Sequence, residues 1–296
     1  MTTSAERQRV SLGPGDRVAV IAGSGRLPVD VASGLETLGQ KPFVVLLDGE
    51  ADGPELAGYE TARIPLENFA AILPVLKERG VTHVVMAGGI ARRPELRRLR
   101  PSWALLTILP QVMRALRAGD DGLLAKAVRI LEGRGLTVLG AHEVVPDLLA
   151  QEGRIGTLDP LPADRRDLDA AFAAAHAIGA LDIGQAAVAV GGRVVALEGI
   201  EGTDDMLARV GSLRSHGRIA GVKRGVLVKC AKPNQELRAD LPAIGPATVL
   251  GAHAAGLAGI GVEAGRSLVL DQMEVVRQAD ALGLFVVGLP PRGGAG

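Results

Sequence analysis

Three apolar runs, each released by glycine into a stretch of helical spacing, constrain the fold more than any other feature of this chain. Arg17-Val-Ala-Val-Ile-Ala22 stays apolar without alternating, the pattern of a strand buried on both faces. Gly23-Ser24-Gly25 then makes a tight turn, and Leu27 to Leu38 carries helical spacing, with Pro28 in the first turn and Gly39 as its stop. Phe43-Val-Val-Leu-Leu47 is a second such strand. Leu66 to Arg79 is a helix ended by Gly80, and Thr82-His-Val-Val-Met-Ala87 is a third strand closed by Gly88-Gly89. A helix at Gly119 to Leu131 and a strand at Leu136-Thr-Val-Leu139 continue the series. This alternation predicts a Rossmann-like parallel sheet with helices on both faces.

Past Val145 the pattern changes. A loop rich in glycine and proline, Gly153 to Pro162, leads to a helix at Ala163 to Ile178. Ala186 to Leu197, broken by Gly191-Gly192, reads as a hairpin, and Gly259 to Leu270 as a second one. Helices are expected from Thr203, at Thr248 to Ala255 and at Gln272 to Leu282, with strands at Gly225 to Lys229 and Leu284 to Val287. The fold class is therefore α/β. A flexible extension at 1–16 precedes a Rossmann-like domain at 17–150 and a mixed α+β domain at 151–290, and the tail from Pro290 is loose.

Composition excludes several partners. Lysine plus arginine equals aspartate plus glutamate at 33 each, and aromatics are 2%, so neither charge nor stacking surface favours nucleic acid. Cys230 is the one cysteine, which fits a reducing compartment and a small buried apolar side chain. With no signal-like start and no apolar run of about 18 residues, the expectation is a cytoplasmic protein. The five histidines lack zinc spacing, and neither a phosphate-binding P-loop nor a serine elbow occurs.

Candidate site residues fall in two groups. In the first half, Gly23, Ser24 and Gly25 sit where a nucleotide-binding turn belongs, and Gly88 and Gly89 end a strand at the same sheet edge. Each turn can serve a ligand or packing alone. Asp48 suits a ribose hydroxyl, which leaves a nicotinamide-dependent oxidoreductase as an alternative, although Pro28 stands where the dinucleotide fingerprint has its third glycine. His142, in Gly140-Ala-His-Glu143, follows a strand. Arg92, Arg93, Arg97, Arg98 and Arg100 form a basic run suited to phosphate or anionic lipid, or a solvated face. Beside it, Trp103 to Leu116 is an apolar surface suited to core, a homodimer interface or an acylated ligand.

The second half carries the charge clusters that hydrolysis of a phosphate anhydride needs. Gln185 precedes the first hairpin and Glu201 follows it, so both face one place. Gly202 and Thr203 open a helix, with Thr203 as candidate N-cap and Asp204 and Asp205 in its first turn. Lys232, Gln235, Glu236, Arg238 and Asp240 lie in a segment bounded by Pro233 and Pro242, whose rigid turns suit fixed catalytic groups. A solvated helix start followed by a charged loop would read the same way.

Six segments in order resemble the LpxI-type UDP-2,3-diacylglucosamine pyrophosphatases of lipid A synthesis. They are Ile21-Ala-Gly-Ser-Gly-Arg-Leu-Pro28, Gly119-Asp-Asp121, Gly140-Ala-His-Glu143, Leu181-Asp-Ile-Gly-Gln185, Glu201-Gly-Thr-Asp-Asp-Met-Leu207 and Lys232-Pro-Asn-Gln-Glu-Leu-Arg-Ala-Asp-Leu-Pro242. The resemblance implies Mg²⁺-dependent hydrolysis of an acylated UDP-sugar, with other divalent cations open. It implies a ligand cleft between two domains, the second being catalytic, and Asp240 as catalytic aspartate. Asp240, Glu201 and Asp204 are then the expected metal ligands. Gly23, Ser24, Gly25, Gly88, Gly89, His142, Gln185, Gly202, Thr203, Lys232, Gln235 and Arg238 are the expected substrate contacts. Peripheral contact with the inner face of the inner membrane follows from such a substrate, and a binding protein without catalysis remains a further alternative.

Overall fold

The computed structural model describes residues 10–51, 54–90, 119–219, 224–233 and 235–291, with 119–121 by backbone alone. The chain divides into two compact units, Met1–Asp147 with Glu236–Asp240, and Leu148–Gln235 with Leu241–Gly296. The short segment that ends at Asp240 thus belongs by contact with the first unit, although the sequence assigns it to the second.

In the first unit the chain runs β1 (Val18–Ala22), α1 (Leu27–Thr37), β2 (Phe43–Asp48), β3 (Glu60–Pro65), α2 (Ile72–Glu78), β4 (His83–Ala87), α3 (Gly119–Glu132), β5 (Thr137–Leu139) and a single turn, α4 (Ala141–Val144). All five strands are parallel, in the order β3-β2-β1-β4-β5. Successive residues of β1 go to opposite faces, as the strand period of two demands. Ala19 packs with Phe43, Val45, Leu76, Val84 and Val128, whereas Val18 and Val20 pack with Val31, Leu35 and Val85. That two-sided burial is why the runs read as continuously apolar.

The edge strand β3 escaped the sequence reading. Glu60, Thr61 and Arg63 are exposed and of its six residues only Ile64 is buried, so it lacks the apolar run that marks the others. The helix expected at Leu66 to Arg79 begins as a 3₁₀ turn over Leu66–Ala71, with Asn68 outside helical angles, before α2 forms.

In the second unit the elements are β6 (Gly153–Arg154), α5 (Pro162–Ala180), β7 (Ala186–Val190), β8 (Arg193–Leu197), α6 (Gly202–Ser215), β9 (Val226–Lys229), β10 (Ala243–Ile244), α7 (Pro246–Ala254), β11 (Gly259–Glu263), β12 (Leu268–Val269), α8 (Gln272–Leu282) and β13 (Phe285–Leu289). Six strands form a mixed sheet, β6-β13-β11-β9-β7-β8, whose centre β13-β11-β9 is parallel and whose flanks are antiparallel. Helix α5 covers one face, where Ala171, Phe172 and Ala175 meet Ala187, Val226, Val228 and Phe285. Helices α6, α7 and α8 cover the other, with Met206, Leu207, Val249 and Val275 against Val188, Leu227, Ile260 and Val286.

The hairpin at 186–197 forms, its Gly191-Gly192 turn tied down by the buried Asp167 carboxylate, which accepts from the Gly192 N–H. The second expected hairpin does not form. Strand β11 joins the parallel centre, while β12 pairs parallel with β10 in a separate two-stranded sheet. In the turn between them the Gly265 N–H donates to the Ala150 carbonyl at 2.9 Å. Among the described residues no helix is long and apolar enough to cross a membrane.

Candidate active site

Parallel strands expose their next residues at the carboxyl edge of a sheet, where helix N-termini also point. Both units gather their candidate residues there. In the first unit, β1 and β4 end level with each other, Ala22 opposite Ala87. Gly23 then donates to the Ala87 carbonyl at 2.8 Å. Ser24 and Gly89 exchange both backbone bonds, at 2.8 and 3.0 Å. A Cβ on Gly23 would lie 2.2 Å from the Gly89 oxygen, and one on Gly88 would lie 2.5 Å from the Ser24 oxygen. These glycines let two backbones touch, and the amides of Gly23, Ser24 and Gly89 are spent on that contact. Gly25 differs, since it has φ +91° and open space around it. Asp48 ends β2 with its carboxylate 3.8 Å from the Arg63 guanidinium.

His142 lies one strand over, after β5, in the single turn α4. Its ring sits over Gly140, where a Cβ would come within 2.3 Å of the imidazole Cε1. Its Nδ1 is buried and makes no hydrogen bond. Burial lowers the His142 pKa, against a smaller opposing pull from Glu143. The Glu143 carboxylate accepts from the Gly140 N–H at 2.6 Å, which closes the turn. The same Gly140 faces the Arg238 Cα, 3.3 Å from the position of a Cβ, so the segment ending at Asp240 packs here.

That segment is clamped by charge. Glu236 takes the Arg238 guanidinium in two parallel bonds, both 2.9 Å, and Glu132 of α3 takes its other terminal nitrogen at 2.6 Å. Arg238 holds the Glu236 pKa below the usual carboxylate range, and the two acids raise that of Arg238. Asp240 closes the turn, its N–H donating to the Glu236 carbonyl at 3.0 Å. Arg238 therefore fastens the turn that carries Asp240.

In the second unit the same kind of edge is built from side chains. Because β7 runs antiparallel to β9 and β8 antiparallel to β7, the start of β7, the end of β8 and the end of β9 meet there. Register sets the partners. Glu198, the residue after β8, donates its backbone N–H to the Ala186 carbonyl at 2.9 Å. Its buried carboxylate accepts from the Gln185 N–H at 2.8 Å and from the Thr203 hydroxyl at 2.5 Å. Lys229 donates to the same hydroxyl at 3.1 Å. The hairpin thus joins Gln185 to Glu198 rather than to Glu201. Glu201 turns outward to Arg209 at 2.7 Å. Its own backbone N–H and Arg209 keep its pKa low.

Thr203 is not the N-cap of α6. Glu201 occupies that position in helical conformation, with no side-chain cap, and Gly202 (φ +81°) and Thr203 lie in the first turn with Asp204 and Asp205 exposed beside them. Past β9, the Lys232 N–H donates to the Gln235 side-chain oxygen at 3.0 Å, and the Gln235 amide lies 3.5 Å from that of Gln185. The Lys232 ammonium meets Asp182 at 2.6 Å. Glu263, buried at the end of β11, accepts from the Ala231 N–H at 3.0 Å and faces Arg266 at 3.5 Å. Glu198, Asp182, Glu263 and Arg266 went unassigned in the sequence reading. Only the hairpin register, which places position 198 beside 186, could have signalled the first.

Cys230 is buried against α5, and desolvation pushes its thiol up to about 12, which disfavours the thiolate. Among the described residues no group of three histidine, cysteine, aspartate or glutamate side chains could hold a metal ion. With Glu201 paired with Arg209, the described donors do not form a preassembled cation site. Arg92 to Arg100, Trp103 to Leu116, Asn234 and the side chains of Asp120 and Asp121 lie outside the described residues.

Two family models match the chain, the LpxI N-terminal domain over residues 17–148 and the LpxI C-terminal domain over residues 151–287. UDP-2,3-diacylglucosamine pyrophosphatase LpxI of Caulobacter vibrioides is 43% identical over 277 residues, covering 93% of this chain and 98% of that protein. Among solved structures, glycinamide-RNase-transformylase T from Mycobacterium tuberculosis matches with a TM-score of 0.23 and 17% identity, over 62% of this chain and 44% of that one. A score that low supports no inference.

Proposed function

Because the chain belongs to the LpxI family, we propose that it is a hydrolase that splits the diphosphate of UDP-2,3-diacylglucosamine into UMP and 2,3-diacylglucosamine 1-phosphate during lipid A synthesis. The observation that carries this reading is the end-to-end match to the Caulobacter pyrophosphatase, which leaves neither unit unaccounted for. Water attacks one phosphorus, the bridging P–O bond breaks, and Asp240 orients the water and accepts its proton. Arg238 and Glu236 keep that carboxylate in place. Lys232 offsets charge on the phosphoryl oxygens, and the uncapped first-turn amides of α6 at Thr203 and Asp204 suit an anion. Gly25, the open glycine of the first turn, is the position where ligand can approach backbone.

Magnesium dependence is a separate part of the proposal. The protein offers no ready three-ligand site among its described residues, so the ion would arrive with the diphosphate. Cytoplasmic location, contact with the inner membrane and a homodimer also belong to the proposal, the last two through Arg92–Arg100 and the apolar segment after it.

The test is UMP release from UDP-2,3-diacylglucosamine by purified protein, with added Mg²⁺ and with EDTA. Asp240→Asn should lower turnover by about 100-fold or more while retaining substrate binding. No UMP from the wild type, or near-normal turnover by the variant, overturns the corresponding part.

A further inference from the structure

Two residues other than glycine have positive φ among those described, Asp182 (φ 55°) and Asp271 (φ 51°). Both are aspartates, but their settings are opposite. Asp271 precedes α8, where a carboxylate faces the positive end of the helix. Asp182 follows the last turn of α5, where it faces the negative end, and that turn holds no basic residue. The ending is a Schellman turn. The Ile183 N–H donates to the Ile178 carbonyl at 3.0 Å and the Asp182 N–H to the Gly179 carbonyl at 3.1 Å. Its left-handed position belongs to glycine by preference, because any Cβ there crowds the backbone. The helix dipole disfavours an aspartate here, and the left-handed conformation, which aspartate tolerates better than most side chains, still costs it more than glycine. Breaches of two local rules at one position point to a role outside the helix.

The contact that the carboxylate makes is with Lys232, at 2.6 Å, and the Lys232 side chain is only 12% exposed. The stem of Lys232 also lies against the same helix end, its Cα and Cγ each 3.4 Å from where a Gly179 Cβ would be. We propose that Asp182 is a positioning residue, retained against local preference because its carboxylate fixes where the Lys232 ammonium stands. A lysine on a four-carbon stem has many rotamers. Held at its base by Gly179 and at its tip by Asp182, it presents one point charge at one place. This rests on the hydrolase reading for what that charge does, and on geometry alone for how it is held.

Two variants separate positioning from mere fastening. Asp182→Gly removes the strain, so the melting temperature should stay level or rise. Its kcat should nonetheless fall by about 10-fold or more with little change in KM, because the lost interaction acts on the transition state. A structural clip predicts the reverse, with stability and kcat falling together. Asp182→Asn, which tolerates the left-handed conformation, should show the same kcat loss. In a Lys232→Met background it should add nothing, since it acts through that lysine. A readout independent of activity is acylation of Lys232 by acetic anhydride, followed by mass spectrometry. Without the Asp182 carboxylate, the amine should label several-fold faster in both variants. An unchanged labelling rate, or a full additional loss of kcat on top of Lys232→Met, overturns the proposal. If the wild type releases no UMP, the hydrolase reading fails while the labelling experiment still decides how Lys232 is held.

Discussion

The carboxyl edge of the first sheet is made of backbone, and that of the second is made of side chains. Between β1 and β4 the contact is peptide on peptide, with Gly23 and Gly88 as the residues that permit it. Around β7, β8 and β9, by contrast, a buried carboxylate joins Gln185, Thr203 and, through Thr203, Lys229. The first edge is rigid because nothing larger fits. The second is rigid because its polar groups complete one another, and a group left unpaired there would be costly. Glycines near a sheet edge therefore signal geometry before they signal a ligand. Among Gly23, Gly25, Gly88 and Gly89, Gly25 is the one with both an unusual φ and open surroundings.

The comparison breaks most readily at its tightest point. Gly23→Ala places a methyl within 2.2 Å of a backbone oxygen that cannot move without opening the Ser24–Gly89 bridge. A loss of about 3 kcal/mol or more is expected in urea unfolding followed by circular dichroism, the scale of strain or overpacking at a closed site. A near-neutral result would mean that the two turns are separable and the edge open. Glu198→Ala should come next. Removing a buried carboxylate strands the Gln185 N–H and the Thr203 hydroxyl, at about 2–3 kcal/mol, whereas Glu198→Gln keeps the shape and should lose less. Equal losses in both variants would show that packing, not hydrogen bonding, holds the second edge.

The same contrast decides what could be read from the sequence. Strands β1, β2 and β4 announce themselves because burial on both faces leaves no polar residue among their inner positions. Strand β3 did not, since an edge strand with Glu60 and Arg63 facing solvent resembles a loop. The hairpin at 186–197 was legible from Gly191-Gly192, but the register within it was not, so Glu201 was expected where Glu198 stands. Strand β12 was misassigned because two short apolar runs separated by Ala264-Gly265-Arg266 look like a hairpin whichever sheet they join. Asp182 lies in one of the resembling segments, Leu181-Asp-Ile-Gly-Gln185, but nothing there marks a role for it. Its interest lies in a φ value and a partner 50 residues away, and neither is written in local composition.

A smaller effect sharpens the glycine argument. Gly25 shares a turn with Gly23 but meets nothing within 4 Å, so Gly25→Ala is strained only by its φ of +91°. The expected loss is about 1–2 kcal/mol, the cost of a left-handed L-residue, and clearly below that of Gly23→Ala. If the order reversed, conformation rather than contact would govern the first edge. Ligand binding gives a second reading, because a methyl at Gly25 stands where a ligand would approach, and substrate KM should rise more for Gly25→Ala than for any variant in the second unit that leaves Lys232 in place.

The smallest predicted effect concerns His142, the side chain that most departs from the backbone character of the first edge. Burial lowers its pKa from 6.5, more than Glu143 raises it, so the folded protein resists protonation that the unfolded chain accepts. As pH falls below about 6.5 the unfolded state binds the proton first, and stability declines until the folded imidazole is protonated too. Glu236 acts in a separate, more acidic window. Its pKa is lowered by Arg238, so its contribution is present above the ordinary carboxylate range and lost as pH falls through its folded value. Melting temperatures between pH 7.5 and 5.5 therefore separate the histidine from Glu236. The wild type should lose stability gradually over that interval, and His142→Gln, which does not titrate, should flatten the slope. A slope that is unchanged in the variant would place the titration elsewhere and leave the ring over Gly140 as packing alone.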